Sequence, residues 1–186
     1  MDTIKFKIEY YRVEEFEYDL PNINIYINEQ NLIDLITNVE KKEWDGKKES
    51  RSGYIGIEVS RFQRFQNEML GKKIYPHSVL LTCTCTIAEC NCIMADIYFE
   101  ENTVKWSNIR SPWLSNTTYS PFVEEVDAIK EGWVPIDYSS VSLFQFELEQ
   151  YLAAVDQIIA ECRSYKFKEP PMPEEWKPFF DLPTEE

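Results

Sequence analysis

The sequence predicts an α+β fold, a mostly antiparallel sheet of about six to eight strands packed by two or three helices. Three observations predict it. Ile4, Phe6, Ile8 and Tyr10 alternate with Lys5, Lys7 and Glu9, the period of a strand with one wet face. The repeat lengthens to that of a helix at Leu32, Leu35, Ile36 and Val39, and again at Leu148, Tyr151, Leu152, Val155, Ile158, Ile159 and Cys162. Between those helices, residues 78–109 read as three successive strands, not as alternating βαβ units.

Taken in order, the first strand covers Ile4–Tyr10. Phe16 and Tyr18 mark a second short strand that Pro21 ends. Ile23, Ile25 and Ile27 alternate with Asn24, Tyr26 and Asn28 to give a third. An amphipathic helix follows over residues 30–42, then a short strand at Tyr54–Val59. Ser60 with Gln63 has the form of a capping box, and Phe62, Phe65 and Met69 share a helical face before Gly71 stops the helix. The meander comprises Val79–Cys85, Cys90–Phe99 and Val104–Ile109, joined by 86–89 and 100–103. Val141–Phe146 is a last strand, leading into the most strongly patterned helix of the chain.

The 186 residues fit one domain, residues 1–168, followed at 169–186 by a proline-rich extension. That extension carries Trp176, Phe179 and Phe180, which favours packing on the domain over a free tail. Two polar or proline-containing stretches, 41–53 and 111–137, read as loops. The start Met1-Asp2-Thr3-Ile4-Lys5 lacks the pattern of a secretory signal, and no run approaches the apolar length of a membrane span. A cytoplasmic protein is the expectation. With 19 Lys+Arg against 33 Asp+Glu the formal charge is −14, which disfavours nucleic acid and anionic membrane and favours a basic partner.

Several segments together have a familiar order. They are Ile25-Tyr26-Ile27-Asn28, Asn31-Leu32-Ile33-Asp34-Leu35 with Val39-Glu40, then Leu81-Thr82-Cys83-Thr84-Cys85 with Cys90. Val104-Lys105-Trp106-Ser107 follows, and last Phe144-Gln145-Phe146-Glu147 with Gln150-Tyr151 and Ala154. Over roughly residues 23–160 this resembles a widespread family of small bacterial proteins of unknown function. Its pattern is a central Cys-x-Cys hairpin, a Trp-Ser strand and a closing aromatic strand into a Gln-Tyr helix. The family has glycines where this chain has Thr86 and Glu89, and Cys92 is an addition. The resemblance implies a fold and carries no activity.

Four of the five cysteines, Cys83, Cys85, Cys90 and Cys92, fall within ten residues. If 86–89 is the loop, Cys85 faces Cys90 and Cys83 faces Cys92, all four sulfurs on one face at about 4.5–5.5 Å across strands. Three readings stay open. Free thiols are among the most buried side chains, and Val79, Leu81 and Met94 continue that face. A zinc or other soft-metal site would use all four thiolates, although Cys-x-Cys on a flat strand converges less easily than a knuckle. Disulfide or redox chemistry needs an oxidising compartment or an exposed, activated thiol.

Enzymatic constellations are thin. The single histidine, His77, precedes the cysteine strand and could pair with Cys85 or Cys90 as nucleophile, but a surface or capping role is the commoner fate of such a residue. Phosphate-binding glycine loops, Gly-x-Ser-x-Gly and His-Glu-x-x-His are absent from the sequence. A binding protein without catalytic activity or cofactor is therefore the leading expectation, with the zinc domain as alternative. Its form would be an acidic inhibitor of the immunity-protein kind, neutralising a basic toxin. Expected contacts are Glu124, Glu125, Asp127, Glu131, Trp113 and Trp133, with Glu14, Glu15 and Glu17, where acids cluster beside aromatics.

Overall fold

A computed structural model describes residues 1–13, 18–44, 53–72, 77–84, 92–111, 136–141 and 143–166. Among them are three helices and nine strands, three of the strands only two residues long. The chain order is β1 (Ile4–Val13), β2 (Tyr18–Ile27), β3 (Gln30–Asn31), α1 (Leu32–Trp44), β4 (Tyr54–Ile55) and β5 (Ile57–Glu58). Then come α2 (Phe62–Met69), β6 (Ser78–Cys83), β7 (Cys92–Phe99), β8 (Thr103–Arg110), β9 (Leu143–Glu147) and α3 (Leu148–Ser164). The α+β class stands as the sequence predicts, but the strands form two antiparallel sheets where one was expected. One sheet is β1-β2-β3 with β5 also on β2; the other is β4-β6-β7-β8-β9.

Gly56 is the reason the sheet divides. Ile55 pairs with Thr82 in the second sheet, and two residues later Ile57 pairs with Ile23 in the first. A Cβ on Gly56 would collide with the Ile23 carbonyl oxygen and with Asn24 Oδ1, so the crossing requires glycine. Its own carbonyl accepts from Thr82 Oγ1 at 3.2 Å, tying the crossing to β6. The sheets meet a second time at Asp2. Its amide donates to the Gln145 carbonyl at 2.7 Å, and its Oδ2 accepts from the Gln145 amide at 2.8 Å.

The alternation in β1 holds at Ile4 and Phe6, which are buried, and weakens toward Tyr10, which was read on the same face but is 64 % exposed. Pro21, however, does not end a strand. β2 runs through it in constant register, from Val13 opposite Tyr18 to Ile4 opposite Ile27, with Pro21 opposite Tyr10. On its other side β2 is paired at Asn22 and Ile23, by β5, so no ladder there asks Pro21 for an N–H. α1 starts at Leu32, two residues later than expected, because Gln30 and Asn31 pair with β2; the Asn31 side chain accepts from the Ile33 amide at 2.9 Å. The capping box is not formed either. Ser60 lies inside a 3₁₀ turn, Val59–Arg61, and its hydroxyl donates to Glu58 Oε1 at 2.5 Å. α2 does end at Gly71, whose φ of 69° lies in the left-handed region. Val141, read as strand, closes a 3₁₀ turn, and β9 begins at Leu143.

One core joins both sheets, and α1, α2 and α3 all contribute side chains to it. α3 buries Tyr151, Val155, Ile158, Ile159 and Cys162, five members of the stripe read from sequence. Glu147 caps it, accepting from the amides of Glu149 and Gln150 at 3.1 and 2.7 Å. Trp106 of β8 is fully buried, edge-on to Phe146 with centroids 5.4 Å apart. Its indole N–H donates to the Tyr151 hydroxyl at 3.2 Å, which donates in turn to the Met69 carbonyl at 3.0 Å. One chain of hydrogen bonds thus joins β8, α3 and α2. Among the described residues, no helix is long and apolar enough to cross a membrane.

Candidate functional site

The acidic and aromatic residues expected to contact a partner lie outside the described residues: Glu14, Glu15, Glu17, Trp113, Glu124, Glu125, Asp127, Glu131 and Trp133. So do Cys85, Cys90 and the extension at 169–186. Cys83 and Cys92 are described, and both are buried. They do not face one another as expected. Thr82 is the residue opposite Cys92, Leu81 is opposite Ile93, and Cys83 is opposite Tyr54 of β4. A one-residue change of register moves a side chain to the other face, so the Cys83 and Cys92 side chains project from opposite faces. The register of these strands shifts again between Val79 and Leu81, a bulge farther along the ladder. Among the described residues, no three His, Cys, Asp or Glu side chains converge as a metal site.

His77, half-buried, turns to an aspartate. Its Nδ1–H donates to Asp96 Oδ1 at 2.5 Å, and the Asn108 amide donates to Asp96 Oδ2 at 3.1 Å. Arg110, 1 % exposed, brings Nη1 to 4.0 Å from the same carboxylate and donates to the Asn108 carbonyl at 2.6 Å. A β-bulge makes this arrangement possible. Met94 is opposite Arg110 but Asp96 is opposite Ser107, and Asn108 takes up the slack at a φ of 53°. Burial pushes the Asp96 carboxyl up. The hydrogen bonds from His77 and Asn108 and the charge of Arg110 outweigh it, and the net shift is below the ordinary value. The sequence shows His77, Asp96 and Arg110 as separate polar residues; His77 lies one step beyond the pair Ser78–Ala95, opposite Asp96, and the bulge brings Asn108 and Arg110 to the same carboxylate.

A second titratable cluster carried no warning in the sequence except its place on an apolar stripe. Glu40 stands one turn after Ile36, and it is buried at 3 % exposure. The hydroxyls of Tyr54 and Tyr138 both donate to its Oε1, at 2.7 and 2.8 Å. Burial raises the Glu40 pKa, and the two phenols pull it back only in part. Tyr138 is raised too, chiefly by the same burial.

An open groove lies elsewhere, where β1 diverges from β9 and α3 begins. This groove of about 350 Å³ has the chain at 3–6 on one side and Gln150, Ala153, Ala154 and Gln157 of α3 on the other, with Tyr26 and Glu29 at its mouth. Gln150 bridges its inner end, donating from Nε2 to the Ile4 carbonyl at 2.7 Å. Its Oε1 is buried and, among the described residues, has no hydrogen-bond partner.

No family model matches the chain, and no curated protein or solved structure matches it.

Exposed charges of both signs stand on the described surface: Lys5, Lys41, Lys42, Lys72, Arg163 and Lys166 are exposed and, among the described residues, form no ion pair. Arg12, Arg61, Arg64, Lys105 and Arg110 are each within 4.0 Å of an acid: Asp19, Glu58, Glu68, Glu100 and Asp96 respectively. Glu29, Asp34, Glu101, Glu149, Asp156 and Glu161 are exposed and, among the described residues, form no ion pair. Glu149, Asp156 and Glu161 all project from α3.

Proposed function

We propose that the protein is a non-enzymatic acidic binding protein, an inhibitor of the immunity-protein kind that docks on and neutralises a basic protein such as a toxin. The observation that carries this reading is the formal charge of −14, from 33 acidic against 19 basic side chains. An excess of carboxylates attracts an oppositely charged protein and raises the rate of encounter. The acids at 14–17 and 124–131 belong to that excess.

The test is association with basic proteins of the source cell at low and high salt. A basic partner retained at low salt, released as salt screens the interaction, and inhibited in its own activity while bound is the expected outcome. Failure to retain any basic protein at low salt, or retention that salt does not weaken, overturns the reading.

A further inference from the structure

Among the described residues β1 is an edge strand, and only part of its edge is covered. It stands at the end of the sheet order β1-β2-β3. The Thr3 carbonyl points toward β2, accepting from the Asn28 amide at 3.0 Å, whereas the Ile4 carbonyl points the other way, to Gln150. In an antiparallel strand successive residues direct their backbone polar groups to alternate sides. The N–H and C=O groups of Phe6 and Ile8 therefore point outward with those of Ile4. At Ile4 the Gln150 side-chain amide takes the place of a neighbouring strand. Beyond it the groove opens, because α3 turns small residues, Ala153 and Ala154, toward β1. The space is of the kind that an extended chain occupies beside an edge, at about 4.8 Å from it.

The charges around the groove say what that chain should carry. Lys5 is the one cation among the lining residues, and Glu29 is the acid at the mouth. Helical spacing puts Glu149 and Asp156 on the same stripe as Ala153, and Glu161 one turn beyond Gln157. All four acids are exposed. Lys7, the next cation along β1, lies 4.0 Å over the Tyr26 ring.

We propose that this groove receives an extended basic segment of the partner, which adds to β1 as a further strand and sets lysine or arginine side chains against Glu29, Asp156 and Glu161. Main-chain bonds to Phe6 and Ile8 hold the segment, and the buried Gln150 Oε1 accepts from one of its N–H groups. The proposal rests on the reading of the chain as a binder of basic proteins and names the surface that does it.

The experiment uses the full chain and a fluorescent ten-residue peptide of alternating lysine and valine, followed by anisotropy and amide hydrogen exchange. Binding should slow exchange at Phe6 and Ile8. Ala153→Arg, at an exposed helical position, should fill the groove and weaken binding at least tenfold with unchanged thermal stability. Asp19→Asn makes the same change in net charge at the far end of β1 and should alter affinity less than twofold. If the two variants weaken binding equally, or Phe6 and Ile8 exchange as before, the groove is not the site, while the acidic-binder reading stands. If the wild-type protein ignores the peptide yet still retains a basic protein at low salt, strand addition falls and the broader reading stands. If it binds neither, both fall. A dimer in sedimentation with those two amides protected before peptide is added makes a second copy the occupant and overturns the proposal.

Discussion

The Tyr138 hydroxyl reaches across 98 residues of sequence to donate to Glu40 Oε1 at 2.8 Å. Tyr54 donates to the same oxygen, so a buried carboxylate on α1 is held by two phenols and, among the described residues, forms no ion pair. Its folded-state pKa is raised, so the folded protein binds a proton that the unfolded chain has released. Stability is thus fullest below the ordinary carboxyl value of about 4.5 and falls as pH rises through the raised folded value. Denaturant titrations of wild type and Glu40→Gln between acid and neutral pH check this. The wild type should lose stability relative to the variant as pH rises, and parallel curves would refute it.

Asp96 has the opposite sign. Its folded pKa lies below the ordinary 3.8, so the stability it provides is present above that value and is lost as pH falls through the folded pKa. Asp96→Asn should cost about 2 kcal/mol at neutral pH, because His77, Asn108 and Arg110 lose a charged acceptor. The deficit against wild type should shrink in acid. Equal deficits at pH 7 and pH 2 would show that the carboxylate charge is not what stabilises the bulge.

Tyr151→Phe tests the hydrogen-bond chain through the core. The ring is kept, but the buried Trp106 N–H loses its acceptor and the Met69 carbonyl loses a donor. A cost of about 1–3 kcal/mol in equilibrium unfolding is expected, with a change in tryptophan emission. A neutral substitution would mean that water replaces the hydroxyl.

Two glycines three residues apart should behave differently. Gly56→Ala drives a methyl into the Ile23 carbonyl, which is backbone and cannot move aside, and should cost about 3 kcal/mol. Gly53→Ala meets only the end of the Thr84 side chain, at 2.9 Å, and should cost less than about 1 kcal/mol. Comparable unfolding midpoints for the two variants would remove Gly56 as the point where the sheets divide.

The parts of the fold legible in the sequence are those set by local period. The stripe from Leu148 to Cys162 and the alternation at Ile4 and Phe6 each report one face of one element, and burial follows them there, though not as far as Tyr10. What stayed hidden depends on a partner elsewhere in the chain. Pro21 breaks a ladder only if a strand lies on the side of its missing N–H, and the pairing of β5 with Asn22 and Ile23 is not a local property. The face taken by Cys83 follows from the pairing of Thr82 with Cys92, a register that no local period reveals. Ser60 bonded to Glu58 in a turn that no period reveals either. His77 and Asp96 lie 19 residues apart, brought together by the pairing of β6 with β7 one step beyond Ser78 and Ala95.

The junction at Asp2 also bears on how the chain comes into being. Asp2 and Gln145 are separated by 143 residues, and Gln150, which covers the Ile4 carbonyl, follows them on α3. During synthesis β1 leaves the ribosome long before either partner exists. Pairing with β2 can form early, because a short connection joins them, but the junction to β9 requires closure of nearly the whole chain. Phe6 can meet Phe65 of α2 before then, but the side of β1 that α3 covers stays open until α3 emerges, and a nascent chain arrested before Leu148 exposes it to its neighbours.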